Sequence, residues 1–471
     1  MAEFRILDKD LDRMANAESA GLHSTRAVVR LGLALTFAAM VAIIGTMAGA
    51  APSGMLAGGL LVAAFLALSI GANDVANALG PPVGAGAISM GAGLTLVALA
   101  EIAGAVLAGE RVTETLTTGI LPAGLMQQGV EPAAVMLAAM LAAAIWIALA
   151  TWAGAPVSAT HAVVGGIAGA GLAVFGPEAL QWRGLARIAT AWVAAPVVAA
   201  LTGAALLGLL RRAIHRAPDR TRAAAHWLPW VVGCIAAVLT VNALSLNGVS
   251  APAIAMATAA VSAASVLAAR LRMAGEIAAG HPDRQMLDRL LGPPLVLGAI
   301  LMGFSHGSND VANIVAPLAV LGRSTALWPE AEPTSIRLLA LGGAGIALGA
   351  LLFGRRLVHM VGSRITRLNT ARALCVSLAT SLTVLAATRM GMPVSTTHVA
   401  VGGVFGVGFY REWEERRFRS AKTRIRAPLP PEELHRRRLV RRAAVLRTLA
   451  AWVVTLPAAG ALAAVIAWMI A

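Results

Sequence analysis

Long uncharged apolar runs constrain the fold of this chain more than any other feature. The runs at 31–53 and 448–471 contain no Asp, Glu, Lys or Arg, and each is long enough to cross a bilayer as one helix. Of the 471 residues, 58% are hydrophobic and 13% are charged. Apolar runs rich in Ala, Leu and Gly favour packed helices over an outer-membrane barrel of short alternating segments. We therefore expect an all-α polytopic membrane protein.

The apolar runs predict about 12–13 transmembrane spans. These are 31–50, 54–79, 91–109, 132–153, 159–176, 187–210, 227–246, 250–270, 291–316, 338–354, 371–390, 394–410 and 448–470. The basic residues are grouped in the N-terminal tail and in segments 211–226, 270–289, 355–372 and 411–447. One crossing per span places all these segments on the side of a cytoplasmic N-terminus, as the Lys and Arg bias requires. We therefore predict a multi-pass protein of the cell (inner or plasma) membrane, with its C-terminus outside.

The net charge of +15 does not indicate a nucleic-acid partner, because membrane orientation already accounts for the basic segments. The basic residues of segment 411–447 could also bind anionic lipid or a regulatory partner, but membrane orientation is the simpler explanation of their charge. Cys234 and Cys375 both lie in apolar runs and form no metal-ligand or disulfide pattern. We expect membrane lipid around the chain and no resident cofactor, and homo-oligomerisation stays open.

Two motifs repeat with almost the same displacement. GANDVAN at 71–77 returns as GSNDVAN at 307–313, and PVSATH from Pro156 returns as PVSTTH from Pro393. The repetition predicts two homologous halves. Loops at matched positions differ in charge, which predicts that the halves are inverted relative to each other in the membrane. Inverted repeats with interrupted helices are typical of secondary transporters, whose substrate site lies where the two halves meet.

The repeats define the predicted organisation of the chain. The expected parts are a cytoplasmic tail with an additional helix (1–53), a first repeat (54–210), a connecting segment with two spans (211–290) and a second repeat (291–471). The second repeat contains the basic cytoplasmic loop 411–447.

The first motif places an acidic side chain inside each of two apolar runs. An ionised carboxylate at the bilayer centre costs at least ~2.5–3.5 kcal/mol, so Asp74 and Asp310 should face a cavity, a cation or a polar partner. A structural contact between two helices is the alternative. Gly71, the Asn residues and the following GPPVGAG favour an unwound segment. Its carbonyl, carboxylate and amide oxygens would suit Na⁺, or the Asp could carry H⁺.

The second motif predicts the start of a helix inside the membrane. Pro ends the preceding helix, and Ser or Thr can cap the next one. Free N–H groups and hydroxyls at such an N-terminus would bind a small oxyanion, with plain capping as the alternative. The hydroxyl residues are Ser158, Thr160, Ser395, Thr396 and Thr397.

Several other polar residues lie within or beside the apolar runs. Glu101 is a third intramembrane carboxylate, with either a functional role or a helix-to-helix hydrogen bond. His161, His398 and His306 each fit a structural histidine as well as a proton carrier. Arg389 lies near a span end, where its side chain could reach the interface.

These paired motifs resemble the signatures of the inorganic phosphate transporter (PiT) family, and the resemblance covers roughly residues 54–470. It implies that both Asp motifs and both Pro motifs form one cation and phosphate site, and Glu101 matches an acidic position of the family. The expected coupling-cation residues are Asn73, Asp74, Asn309, Asp310 and Glu101, with Na⁺ at Asp74 and Asp310. The expected phosphate-binding residues are Ser158, Thr160, Ser395, Thr396, Thr397, Asn77 and Asn313.

The chain departs from the family pattern at two places. Many members carry an acidic residue sixteen positions before the second PVSTTH, where this chain has Ser377. The span at 31–50 and the preceding tail are additions to the family core. Family members differ in driving ion: some are Na⁺ symporters, and others are proton-coupled carriers of phosphate or neutral metal-phosphate.

The sequence therefore predicts a secondary transporter that imports inorganic phosphate by Na⁺ or H⁺ symport, and not an enzyme. A permease for sulfate or a related oxyanion is the main alternative. An intramembrane hydrolase would need Asp74 with Asp310, or Ser158 with His161, but it would leave the Asn residues and the duplication unexplained. A channel is a further alternative that the residues alone do not exclude, and a measurement of uphill accumulation would exclude it.

Overall fold

The computed structural model describes residues 29–43, 54–126, 130–155, 157–245, 248–280, 282–324, 335–364, 368–422 and 442–471, and these contain helices but no strands. The α-helices are α1 (Val29–Ile43), α2 (Gly54–Gly84), α3 (Met90–Ala108), α4 (Glu110–Thr118), α5 (Val130–Ala153), α6 (Ala159–Phe175), α7 (Trp182–Leu210), α8 (Arg220–Leu244), α9 (Ala251–Ala278), α10 (Asp283–Asp310), α11 (Ala312–Ser324), α12 (Ile336–Phe353), α13 (Arg355–Arg364), α14 (Thr370–Arg389), α15 (Thr396–Lys422) and α16 (Arg442–Ile470). A π-helical turn, Arg211–His215, continues α7.

Ten helices of the described residues are long and apolar enough to cross a membrane, and α1 and α6 are shorter apolar helices. The prediction of an all-α multi-pass protein is therefore confirmed. Each predicted span overlaps a described helix, whereas residues 1–28 and most of the basic loop lie outside the described residues. The predicted loops 110–131 and 355–372 each contain a short helix, α4 and α13, that the search for apolar runs missed.

The prediction of an unwound segment at 71–77 is wrong. Helix α2 is continuous through these residues, and the second copy deviates only at Val311, between α10 and α11. Gly71 has another role: a Cβ atom there would lie 1.9 Å from the carbonyl oxygen of Ile346. The glycine allows the backbones of α2 and α12 to touch, so a residue that suggested a break serves close helix packing.

The helix interruptions occur at the Pro motifs instead. Helix α5 ends at Ala153 and α14 at Arg389, and each is followed by a glycine with positive φ, Gly154 (71°) and Gly391 (68°). This left-handed conformation favours glycine and turns the chain out of the helix. Residues 157–158 then lead into α6 and residues 392–395 into α15, and neither of these segments is helical.

The two predicted halves interlock through equivalent helix pairs. Helix α2 of the first half packs against α12 of the second, and α10 of the second half packs against α3 of the first. The last two helices of each half also exchange partners, as α6–α16 and α15–α7. Glycines bring these backbones together, since a Cβ atom at Gly169 would lie 2.2 Å from the Gly460 oxygen and one at Gly406 1.8 Å from the Ala200 oxygen. This packing determines where in the bundle the N-termini of α6 and α15 lie.

Candidate functional site

Helices α6 and α15 begin at serine caps. The Ser158 hydroxyl oxygen accepts a hydrogen bond from the His161 backbone N–H at 3.1 Å, and the Ser395 oxygen accepts one from the His398 N–H at 3.3 Å. Both serines are buried. Each hydroxyl keeps its own hydrogen for donation, and other N–H groups of the first turn have no partner within the helix. The predicted capping is therefore present in both copies.

The two capped helix starts contact each other reciprocally. The Thr160 hydroxyl donates to the backbone oxygen of Val394 at 3.2 Å, and the Thr397 hydroxyl lies 3.4 Å from the backbone oxygen of Val157. These residues occupy matching positions of the repeated motif. The N-termini of α6 and α15 therefore meet at one place inside the bundle.

An asparagine of each Asp motif binds the end of the helix that precedes the Pro motif. The Asn73 amide donates to the Thr151 hydroxyl at 2.8 Å, and the Asn309 amide donates to the Thr388 hydroxyl at 3.0 Å. The Asn309 side-chain oxygen also accepts from the Val394 N–H at 3.1 Å. These bonds attach the middle of α2 and of the α10–α11 rod to the two helix interruptions, so the four motifs form one site.

Both aspartates accept hydrogen bonds from threonines at the start of α15. The Thr397 hydroxyl lies 3.1 Å from Asp74 Oδ1, and the Thr396 hydroxyl lies 3.3 Å from Asp310 Oδ2. The structure also contains the predicted amide residues here, since Asn77 Nδ2 donates to Thr397 Oγ1 at 2.9 Å and Asn313 Nδ2 donates to Asp310 Oδ1 at 3.3 Å. The aspartate side chains are only 1–2% exposed.

A histidine links the acidic groups. His306 Nε2 lies 3.0 Å from Asp310 Oδ2 and 3.9 Å from Asp74 Oδ2, and ligand atoms of the three residues all lie within 4.8 Å of one another. His306 Nδ1 lies 2.8 Å from Glu101 Oε1. Because Glu101 and Asp310 contact opposite ring nitrogens, Glu101 is separated from the aspartates by the imidazole ring. The sequence identified His306 but not this bridging position.

The second Asn of each motif exposes a backbone acceptor. Pro81 follows Asn77 by four residues, and Pro317 follows Asn313 by four. Because proline has no N–H, neither Asn carbonyl can receive the usual helical hydrogen bond from the residue four positions later. Both carbonyls therefore lack this bond although the helix is not unwound at 71–77. Carboxylate, amide, carbonyl and hydroxyl oxygens together suit a hard monovalent cation, and the two helix starts suit an oxyanion.

A repeated tryptophan was missed in the sequence. AWV recurs at 191–193 and 451–453. Trp192 stacks on His161 with ring centroids 3.9 Å apart, Trp452 stacks on His398 at 3.6 Å, and the two histidine rings touch edge to face at 4.5 Å. The histidines thus form an aromatic row that joins α7, α6, α15 and α16. This position favours the structural interpretation of both.

Helix α14 carries Arg389 near its end and Ser377 in its interior. Arg389 does not merely reach the interface: its guanidinium donates to the Asn242 side-chain oxygen at 3.0 Å and to the Val241 backbone oxygen at 3.1 Å, and it also contacts Ser245. It therefore attaches the end of α14 to the C-terminus of α8. Ser377 is buried on α14, where its Cβ lies 3.4 Å from the position of a Cβ built at Gly298 on α10.

The chain is similar to known proteins. The sequence profile of the Phosphate transporter family matches residues 70–463. The chain belongs to this family. An Arabidopsis thaliana relative, inorganic phosphate transporter 2-1 of the chloroplast, is 31% identical over 441 residues, covering 87% of this chain and 71% of the relative. A Helicobacter pylori J99 relative, named as a phosphate permease, is 32% identical over 424 residues, covering 87% of this chain and 79% of its own length.

A solved structure shares the fold. It is titled "The sodium-dependent phosphate transporter" and matches with a TM-score of 0.79 and 28% sequence identity, covering 88% of this chain and 99% of that chain. The predicted resemblance to the phosphate transporters and the prediction that the chain is not an enzyme are confirmed, because the family and the solved neighbour are transporters.

Proposed function

We propose that this member of the phosphate transporter family imports inorganic phosphate by cation symport through alternating access. The observation that carries the proposal is the reciprocal contact of Thr160 with Val394 and of Thr397 with Val157, which brings two helix N-termini together beside two buried aspartates. Helix N-termini bind anions, and carboxylates bind cations. A site that contains both is suited to a symporter.

Phosphate would be held between the starts of α6 and α15. Ser158 and Ser395 accept backbone N–H bonds and retain hydroxyl hydrogens for the anion. Thr160, Thr396 and Thr397 lie within the first helical turns, and Asn77 and Asn313 contribute amides beside them. The helix dipoles offset part of the negative charge without an arginine.

The coupling cation would bind at Asp74 and Asp310, with Asn73 and Asn309 positioning the two motifs. A cation there reduces repulsion between the aspartates and phosphate, so each ligand strengthens binding of the other. We favour Na⁺ over H⁺ because the hydroxyl oxygens of Thr396 and Thr397 join the carboxylate oxygens at this place, with His306 as the one nitrogen ligand of the cluster, and because the solved neighbour is titled as sodium-dependent. Glu101 would act on this site through His306, which separates it from both aspartates.

Alternating access would move the helix starts at the interlocked interface between halves 54–210 and 291–471. The distribution of Lys and Arg supports a cell-membrane orientation in which the N-terminus faces the cytoplasm. The end of the bundle that carries the basic segments 211–226, 270–289, 355–372 and 411–447, here called the basic end, faces the same side. Phosphate released at that end would enter the cell.

Uptake into proteoliposomes tests the proposal directly. Labelled phosphate should accumulate against its gradient when inward Na⁺ is imposed, and a pH gradient alone should drive much less accumulation. Excess sulfate should compete poorly. Accumulation driven by pH alone would overturn the choice of ion, and equilibration without uphill accumulation would overturn symport. Glu178→Gln, a change at an exposed residue, controls for reconstitution.

A further inference from the structure

Arginines of three helices lie near one another at one end of the bundle, away from the proposed transport site. Arg211 lies in the π-helical turn that continues α7, Arg372 lies in the first turn of α14, and Arg411 lies within α15. Arg372 is close enough to interact electrostatically with both Arg211 and Arg411. Single π-helical turns are frequent at functional sites. The positive charges of these arginines repel one another unless nearby carboxylates or a bound anion compensate them.

The carboxylates of this region do not balance its guanidinium groups. Buried Glu414 pairs with Arg211 and also with Arg216 at 2.8 Å, and Arg411 pairs with Glu415 at 2.8 Å. These two acidic residues therefore serve three arginines.

Arg372 is the fourth guanidinium, and among the described residues it forms no salt bridge: Glu415 attracts it from a longer distance and is already paired with Arg411. Its Nε donates to the neutral side-chain oxygen of Asn369 at 2.8 Å. Its NH1 is buried and has no hydrogen-bond partner within the described part of the chain. Membrane orientation explains basic residues at this end of the bundle, but it does not explain a buried donor without an acceptor near two other cations.

An oxyanion would satisfy this arrangement. A guanidinium group presents a planar fork of N–H donors that matches phosphoryl oxygens, and an anion between Arg372, Arg211 and Arg411 would relieve their mutual repulsion. Basic pockets between transmembrane helices bind the headgroups of anionic lipids in this way.

A cavity lies beside this region. It has a volume of about 1110 Å³, and its lining includes Asn369, His215 and Arg220 together with the apolar side chains of Ile277 and Met286. The three arginines do not line the cavity themselves, and Asn369, which accepts the hydrogen bond of Arg372, lies between that side chain and the cavity lining.

Two acidic residues also line the cavity. Asp219 Oδ1 accepts from the Arg222 N–H at 2.9 Å, and Asp288 Oδ1 accepts from the Thr370 hydroxyl at 2.8 Å. Their charge would keep an anion on the arginine side of the cavity.

We infer that Arg372, Arg211 and Arg411 form a binding site for a phosphoryl group, supplied by an anionic phospholipid or by free phosphate. The site is separate from the proposed transport site and does not depend on it. Arg372 provides the unpaired donor, and the other two guanidinium groups supply the remaining positive charge.

The full-length protein in micelles of a phosphate-free maltoside detergent tests this inference. Its thermal unfolding midpoint is measured during titration with phosphatidylglycerol and, separately, with inorganic phosphate. At least one anion should raise the midpoint, and Arg372→Gln should remove at least half of that rise. Arg272→Gln, which removes an exposed arginine of α9, should leave the rise unchanged.

The two titrations identify the source of the phosphoryl group. A difference between wild type and Arg372→Gln with phosphatidylglycerol alone assigns a lipid headgroup, and one with phosphate alone assigns the free anion. Arg411→Gln is the second variant should Arg372→Gln fail to fold, since Glu415 is 41% exposed and can be solvated without its partner. Equal rises in wild type and variants with both anions would overturn the site.

Discussion

Two helix crossings have the same close backbone contact, but the side chains beside it are apolar at one crossing and polar at the other. At one, Gly71 of α2 lies against the backbone of Ile346 on α12, and at the other, Gly307 of α10 lies against the backbone of Glu101 on α3. A Cβ atom would come within 1.9 Å and 2.0 Å of the respective carbonyl oxygens. The close approach of the helices is therefore the same at both crossings, while the side chains beside it differ.

The residues beside the two glycines show this change. Ile70 precedes Gly71 and His306 precedes Gly307, while Ile346 on α12 takes the place that Glu101 has on α3. All four side chains are at most 1% exposed. One crossing is apolar, and the other carries a histidine–carboxylate pair that reaches Asp310. The fold requires the shared glycines, and the polar pair is an addition that the fold alone does not require.

The largest expected effect comes from neutralising either aspartate. Asp74→Asn and Asp310→Asn should each lower gradient-driven phosphate uptake by more than ~100-fold, because an interaction with a buried charge that contributes about 3 kcal/mol would be lost. Proteoliposome uptake at equal protein density measures this. The two aspartates also differ in their distance from the polar crossing: Asp310 lies 3.0 Å from His306 and Asp74 lies 3.9 Å away, so only Asp310→Asn should strongly alter the environment of His306.

Nitrogen-15 NMR of labelled histidine should detect a shift of the His306 signal that is larger in Asp310→Asn than in Asp74→Asn. Uptake above a tenth of the wild-type rate in either variant would contradict a role for both aspartates. Normal gel-filtration profiles are needed to exclude misfolding.

The second effect comes from converting the polar crossing into its apolar counterpart. His306→Ile alone leaves Glu101 buried without its partner and should lower the free energy of unfolding by ~3–5 kcal/mol. The double variant His306→Ile/Glu101→Ile should be more stable than the sum of the single changes by ~1–3 kcal/mol, although Asp310 still loses a contact. Uptake should be lost in both.

Equilibrium unfolding in detergent measures this double-mutant cycle. Ile70→Val at the apolar crossing is the matched control and should cost ~0.5–1.5 kcal/mol. Additive effects of the two polar substitutions would show that Glu101 and His306 do not stabilise each other.

The sequence predicted which residues meet, because duplication marked them. Two motifs displaced by almost the same distance indicated one site, and the structure brings Asp74, Asp310 and the starts of α6 and α15 together. The repeat could not show how the halves interlock, since pairing of α2 with α12 depends on contacts between distant parts of the chain. It also could not show that His306 lies between Glu101 and Asp310, which depends on how α3 crosses α10.

Glycine misled the prediction of local structure for a physical reason. A glycine in an apolar run is compatible with a break, where it relaxes the backbone, and with a close helix contact, where it removes a Cβ atom. Gly71 has the second role and Gly154 the first. Only the positive φ of Gly154, which the sequence does not reveal, distinguishes them.

The third effect tests whether both crossings are equally tight. Gly71→Ala and Gly307→Ala should each lower stability by ~1–3 kcal/mol, because the added methyl group forces two backbones apart. Thermal unfolding in detergent measures the loss. Gly32→Ala on α1, where no atom lies within 4 Å of the new Cβ, is the control and should be neutral or slightly stabilising. Gly307→Ala should also reduce uptake more than Gly71→Ala, since it displaces Glu101 from His306. Equal uptake would indicate that the polar pair tolerates displacement.

The smallest expected effect separates the two threonines of the reciprocal contact. The Thr160 hydroxyl donates to the Val394 oxygen, whereas the Thr397 hydroxyl contacts Asp74, Asn77 and the Val157 oxygen. Thr160→Val removes one neutral hydrogen bond of ~0.5–1.5 kcal/mol, so phosphate KM should rise about 2- to 10-fold.

Thr397→Val should raise KM further and also weaken the dependence of uptake on cation concentration, because its hydroxyl contacts a proposed cation ligand. Serine substitutions at both positions, which keep the hydroxyl, should restore both properties. If Thr160→Val and Thr397→Val changed cation dependence equally, the two helix starts would be functionally equivalent, and the asymmetry between the crossings would not extend to the site they support.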